Sequence, residues 1–194
     1  MTPLADKTQI VRDVCSALAA GDTLAASDIA RRDYPFTAQA AIKRSFSAFA
    51  ASSIFVRDGF IDRYSGTQLV FPVVLRLLSR LLPAEFPAHP NWKMSESHMI
   101  YWELFPTVDH VVPVARGGSD TPDNSVTTSM VLNSAKSNWT LSELRWTLLP
   151  PGDPSSWDGM LHWFLDFISR SPEHLADNYI KTWHSAAKRV TKVA

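Results

Sequence analysis

Asp109-His110-Val111-Val112-Pro113, then Gly117-Gly118, Asn124 and Asn133-Ser134-Ala135-Lys136, is the stretch on which the fold of this chain turns. Thr107 to Val112 alternates and is rich in β-formers, and Pro113 ends it. Gly117-Gly118 permits a tight reversal, and Thr121-Pro122-Asp123-Asn124 is a turn with proline at its second position. Ser125 to Thr128 returns as a second short strand. Ser129 caps a helix from Met130 to Asn138, on which Asn133 and Lys136 share a face. The segment predicts a strand, loop, strand, helix unit that brings Asp109 and His110, at the end of the first strand, against the helix carrying Asn133.

The residue types within that unit belong to one kind of chemistry. Hydrolysing a phosphodiester requires a deprotonated water attacking in line, a neutralised charge on the leaving 3′ oxygen, and a positive environment for the non-bridging oxygens. Neutral imidazole is the natural base near neutral pH. One carboxylate and one amide oxygen suit a hard divalent ion such as magnesium, which keeps several waters and takes further oxygens from its substrate. In this division His110 polarises the water, Asp109 and Asn133 hold the metal, and Lys136 or Arg116 contacts phosphate. Neighbouring side chains point to opposite sides of a strand, so His110 need not be a ligand, and base and metal can flank the phosphate.

The string Asp109-His110-Val-Val-Pro, Gly117-Gly118, Asp123-Asn124, Asn133-Ser-Ala-Lys136 resembles the HNH endonucleases, whose ββα-metal fold is also called the His-Me finger. The variant ending in asparagine is most similar to the HNH nuclease domain of CRISPR effector proteins. The resemblance covers Thr107 to Asn138. It implies that Asp109 and Asn133 ligate the metal, that His110 is the general base, and that Asn124 braces the loop and orients the histidine. It also implies products with 5′-phosphate and 3′-hydroxyl ends, Mg2+ or Mn2+ as the cofactor, and DNA, double-stranded in preference, as the partner. Arg63-Tyr64-Ser65-Gly66 stands where many members carry a first cysteine pair beside a glycine. With those cysteines missing, no structural zinc is expected, and packing by the surrounding helices takes its place. By analogy the role is that of a restriction or defence nuclease, and a homodimer would set one active site on each strand. The alternatives are a toxin-type nuclease with an immunity partner and a catalytically silent DNA-binding module.

Each residue also has a plainer reading. Alone, Asp109 is a turn or capping residue, His110 a satisfied and partly buried histidine, Asn124 a turn residue, and Lys136 a solvated lysine. Asn133 is the most diagnostic, because asparagine inside a helix costs propensity. Asp158, His162 and Asp166 are four apart and have the types to ligate a metal, yet amphipathic packing with Trp157, Leu161 and Leu165 explains them more simply. His89, His98, His174 and His184 carry no pattern. Seven tryptophans are many for 194 residues, and core packing accounts for them more simply than base stacking.

Lys plus Arg equals Asp plus Glu at 19 each, which excludes a global basic field. Local asymmetry survives in Arg31-Arg32, in Lys43-Arg44, and in an acid-free C-terminal run with Lys181, Lys188, Arg189 and Lys192; such runs are commonly solvated helix faces. The single cysteine, Cys15, excludes a disulfide within the chain and a cysteine-built zinc site. No apolar stretch approaches a membrane span, and Asp6, Lys7, Arg12 and Asp13 interrupt what would have to be a signal core, so a soluble cytoplasmic protein is expected.

The expected fold class is α+β, mostly helical around the small hairpin-helix core. Residues 1–53 form an N-terminal helical region, 54–149 the core with inserted helices, and 150–194 a C-terminal helical region, all in one compact unit. Helices are expected over Asp6 to Ala20, Ala38 to Ala51 behind a Thr37 cap with Ile42, Phe46 and Phe49 on one face, Leu69 to Leu82, and Ser95 to Leu104. Further helices are expected from a Thr140/Glu143 capping box to Pro150, from Ser155 or Ser156 to Ser169, and from Pro172 onward. Ile54 to Tyr64 reads as extended, and Pro83 to Trp92 as an ordered loop.

Overall fold

In the computed structural model of the protein, residues 7–36 and 46–192 are described. The chain divides into two units, Met1–Ile42 and Lys43–Ala194. In the first, α1 (Lys7–Ala19) pairs with α2 (Thr23–Asp33). Cys15 is exposed on α1. The segment holding Arg31 and Arg32, which falls between the expected helices, is itself helical because Asp22 accepts from Ala25 N at 2.9 Å and caps an alanine-rich run. Thr37, Ile42, Lys43 and Arg44 lie outside the described residues.

The second unit opens with α3 (Ala48–Arg57), which corrects two expectations. Its cap is Ser47, whose Oγ accepts from Ala50 N at 3.1 Å, so Phe46 precedes the helix instead of lying on its face. The stretch from Ile54, expected to be extended, continues the helix to Arg57, and residue 53 lies within it. Ile54-Phe55-Val56 is an apolar run that fits strand or helix locally. Ile54 and Phe55 are buried on α3, and Phe55 stacks on Trp183 with ring centroids 6.5 Å apart. Beyond Arg57 the extended part reduces to one isolated bridge, Ile61 to Gln68.

Helix α4 (Pro72–Leu81) starts on Pro72 and stops before Pro83. The expected helix from Ser95 is instead a 3-10 turn, Met94–Glu96, followed by the short α5 (Ile100–Glu103). Strand β1 (Pro106–His110) pairs antiparallel with β2 (Ser125–Ser129), in a register that sets Asp109 opposite Val126 and His110 opposite Ser125. Ser129 then caps α6 (Met130–Lys136) through Leu132 N at 3.2 Å. Strand, loop, strand and helix follow in the expected order.

Thr140 and Glu143 do form a capping box, but α7 (Leu141–Leu144) is a single turn, because Arg145 adopts a left-handed conformation. Helix α8 (Leu161–Arg170) begins later than Ser155 or Ser156 would place it. Asp158 accepts from Met160 N and His162 N, both at 2.9 Å, and so holds the start of the helix. A 3-10 turn, Pro172–Ala176, leads to α9 (Asn178–Val190), capped by Asp177.

The core lies where α3, α4, α8 and α9 meet, around Phe55, Phe60, Phe71, Phe164, Ile168 and Ile180. Each such side chain, fully buried, contributes about 1.5–3 kcal/mol of transfer free energy. A second cluster of Leu75, Tyr101 and Trp102, with Met130 packed against it, anchors the first turn of α6. Among the described residues the architecture is α+β, mostly helical with one two-stranded antiparallel sheet. Among the described residues no helix is long and apolar enough to cross a membrane.

Candidate active site

The outer edge of β2 is tied down by two fully buried carboxylates. Asp58 accepts from Thr127 N at 2.7 Å, from Arg63 Nη1 at 2.8 Å and from Arg57 Nε at 2.9 Å. Asp62 accepts from Ser129 N at 2.8 Å and, through its other oxygen, from Tyr64 N at 2.9 Å. Packing by the surrounding helices was expected to take the place of a structural zinc beside Arg63 to Gly66. The observed tie is a buried polar network, in which every charge has a partner as low-dielectric surroundings demand.

That network presents Tyr64 to the sheet. Tyr64 Oη donates to Asp109 Oδ2 at 2.6 Å, and Lys136 Nζ lies 2.8 Å from the same oxygen. Burial, and then the neighbouring charge of Asp109, push the Tyr64 phenol well above its ordinary range, so it remains a donor. Lys136 also donates to the His110 carbonyl oxygen at 2.7 Å and lies over the Tyr64 ring, 5.9 Å from its centroid. Lys136 is 0% exposed. It is neither the solvated lysine nor the phosphate contact that its sequence position suggested, because the end of β1 takes up its ammonium.

Thr107 and Asp109 share one face of β1, toward α6. Asn133 Nδ2 donates to Thr107 Oγ1 at 2.9 Å and to the Val108 carbonyl at 3.4 Å. Asp109 and Asn133 are therefore brought together, each fixed by one end of its polar group. The second oxygen of Asp109 and the amide oxygen of Asn133 accept no hydrogen bond among the described residues.

His110 points to the other side of the strand. It is 7% exposed, and the ring of Phe46 covers it with centroids 6.1 Å apart. Its Nε2 lies 2.7 Å from Asp120 Oδ1, and Asp120 is itself 55% exposed along its side chain. An ionised carboxylate only accepts, so Nε2 carries the hydrogen and Nδ1 is the basic nitrogen.

Asn124 laces the connecting loop. Its Oδ1 accepts from Val112 N at 2.9 Å, and its Nδ2 donates to the carbonyls of Val112 at 2.9 Å and Ser119 at 2.7 Å. The two glycines have separate reasons. Gly117 has φ of 89°, and a side chain on Gly118 would collide with the Val112 carbonyl and the Asn124 amide. Asn124 thus fixes the loop that carries Asp120, and Asp120, not Asn124, touches the imidazole. Arg116, expected to contact phosphate, is paired at the surface with Glu143 Oε1 at 2.6 Å.

Asp158, His162 and Asp166 do not converge. His162 pairs with Asp158 at 2.6 Å while Asp166 pairs with Arg170. Tyr64, Asp120 and Phe46 are the site residues that sequence reasoning missed. Tyr64 stood within the quoted Arg63 to Gly66 string, and Asp120 sits two residues past the double glycine; neither position signals its long-range partner. Comparison with protein-family models, curated proteins and solved structures finds no match to the chain.

Proposed function

We propose that this protein is a divalent-metal-dependent endonuclease of the HNH type that hydrolyses DNA phosphodiester bonds to 5′-phosphate and 3′-hydroxyl ends. One observation carries the reading. Asp109 and Asn133 lie on facing elements, each with one polar atom tied down and one oxygen left uncommitted, while the imidazole of His110 stands on the opposite side of the strand. An all-oxygen donor set with a single carboxylate fits a hard ion that completes its shell from water and phosphate. Held by Asp109 and Asn133, such an ion, Mg2+ or Mn2+, would supply charge neutralisation at the scissile phosphate and the leaving oxygen.

The chain's own residues divide the remaining tasks. His110 takes the proton of the attacking water at Nδ1, and Asp120 on Nε2 holds the ring orientation and favours the imidazolium that results. Tyr64 and Lys136 together fix the rotamer of Asp109 and offset its charge. Asn124 holds the loop so that the Asp120 contact persists.

The test is supercoiled plasmid incubated with purified protein and Mg2+ or Mn2+. Nicking or linearisation is expected, abolished by a chelator and lost in His110→Ala. Cutting that persists undiminished in His110→Ala rejects the assigned base, and duplex binding without any cleavage favours the silent DNA-binding module.

A further inference from the structure

The acid-free run of the C-terminus is not a uniformly solvated helix face. On α9, Ile180, Ala187 and Val190 are buried in the core, whereas Asn178, Lys181, Thr182, Ser185 and Arg189 recur at the spacing of a single stripe and are exposed. That stripe and residues 47–49 at the start of α3 enclose a groove of about 510 Å³. Among the described residues no carboxylate lines it.

Most cations elsewhere on this unit are paired with a carboxylate, Arg76 and Arg145 being the exceptions among the described residues. Arg80, Arg116 and Arg170 each hold a carboxylate, as do Arg57 and Arg63. Among the described residues Lys181, Lys188, Arg189 and Lys192 hold none. Arg189 lies over the Phe49 ring with its guanidinium carbon 3.7 Å from the centroid. Stacking of this kind orients the guanidinium and leaves its edge N–H groups free for an anion. In a chain of zero formal net charge, this is a local positive field.

One end of the groove lies a single residue from a ring that touches His110. Ser47 lines it, and the preceding residue, Phe46, is the ring that covers His110. From Lys181 to Arg189 the helix axis advances about 12 Å, roughly three to four base-pair steps at about 3.4 Å per step along a strand.

We propose that the groove between the start of α3 and the outer stripe of α9 is a track for the phosphodiester backbone of duplex DNA, which delivers the strand to His110. The substrate class rests on the nuclease reading; the groove, its charge and the adjacency of Ser47 to Phe46 stand apart from it. Lys181 and Arg189 contact phosphates, Ser185 adds a neutral donor, and affinity along the track is independent of base sequence.

The experiment is fluorescence anisotropy of a labelled duplex in chelator, where cleavage cannot occur, across a salt series. The variants are Lys181→Ala/Arg189→Gln, Ser185→Glu, and Arg170→Gln as a control off the groove; circular dichroism checks their folding. The double variant is expected to lower the slope of log affinity against log salt by about 2. Raising salt from about 50 to about 200 mM then costs it about tenfold less affinity than it costs the wild type. Because Arg189→Gln also removes the contact with Phe49, Ser185→Glu supplies an independent arm and weakens binding severalfold through charge alone. Arg170→Gln leaves the slope unchanged. A slope equal to that of the wild type in both groove variants overturns the proposal, as does a wild type that ignores duplex but binds polyglutamate, which would mark the face as a site for an acidic protein. Duplex binding with these slopes but no metal-dependent cleavage sinks the nuclease reading and leaves the track standing.

Discussion

Removing the buried ammonium of Lys136 tests the physical core of the site. Lys136→Met keeps most of the side-chain volume and deletes three interactions: the ion pair with Asp109 at 2.8 Å, the hydrogen bond to the His110 carbonyl at 2.7 Å, and the position over the Tyr64 ring at 5.9 Å. Breaking a buried pair from one side costs about 3–5 kcal/mol, because the surviving charge is left without compensation. Asp109 keeps the Tyr64 hydroxyl and 10% of its side chain reaches solvent, which places the cost near the lower end, about 3 kcal/mol. With a urea dependence of about 2 kcal/mol per molar, the unfolding midpoint falls by about 1.5 M. Tryptophan fluorescence reads this unit alone, since Trp92, Trp102, Trp139, Trp146, Trp157, Trp163 and Trp183 all lie within Lys43–Ala194. Lys136→Met/Asp109→Asn removes both charges and is expected to recover about 2 kcal/mol of the loss. A single-variant cost under about 1 kcal/mol, or a double variant as unstable as the sum of the singles, refutes the argument that the pair is buried and mutually dependent.

Other consequences follow from individual contacts. Asp58→Ala strands Arg63 and the Thr127 amide inside the protein, and urea unfolding is expected to show a loss of about 4 kcal/mol, more than for Lys136→Met. Tyr64→Phe removes the hydroxyl that holds Asp109; on the proposed reading, Mn2+ affinity measured by calorimetry falls about 10–100-fold while circular dichroism is unchanged. His184 has its imidazole pKa lowered by burial and then by Lys188. The unfolded chain therefore binds the proton more readily, and stability is lost as pH falls from about 6.5 toward the lowered value. Thermal unfolding of His184→Gln between pH 7 and pH 5 is expected to show a flatter decline than the wild type, and an unchanged decline would assign the acid sensitivity elsewhere.

What the sequence made legible was local. The hairpin and α6 follow from alternation over Thr107 to His110, two glycines with separate steric duties, and a serine whose side chain reaches the amide three residues on. Those signals act within a few residues, so they survive without knowledge of the rest of the chain. Helix α3 departs from the extended expectation because Ile54-Phe55-Val56 has no period of its own, and its contact with α9 decides the matter. The start of α8 was misplaced because Ser155 and Ser156 are as plausible caps as Asp158, and only the reach of Asp158 to Met160 and His162 separates them. The burial of Lys136 was not readable at all. It depends on a strand end 26 residues earlier and on Tyr64, which a network of buried carboxylates presents. Asp120 carries no sequence signal for the opposite reason: it is an exposed loop aspartate distinguished by the imidazole it meets.

The central claim is that ligand and base occupy opposite sides of β1, and the most direct measurement titrates Mn2+ into wild type, Asp109→Ala, Asn133→Ala and His110→Ala, with plasmid cleavage followed in parallel. The account predicts one binding site in the wild type, lost in Asp109→Ala and Asn133→Ala, and kept in His110→Ala, which binds the ion and does not cut. Loss of the ion in His110→Ala, or its unchanged retention when Asp109 and Asn133 are replaced, contradicts it.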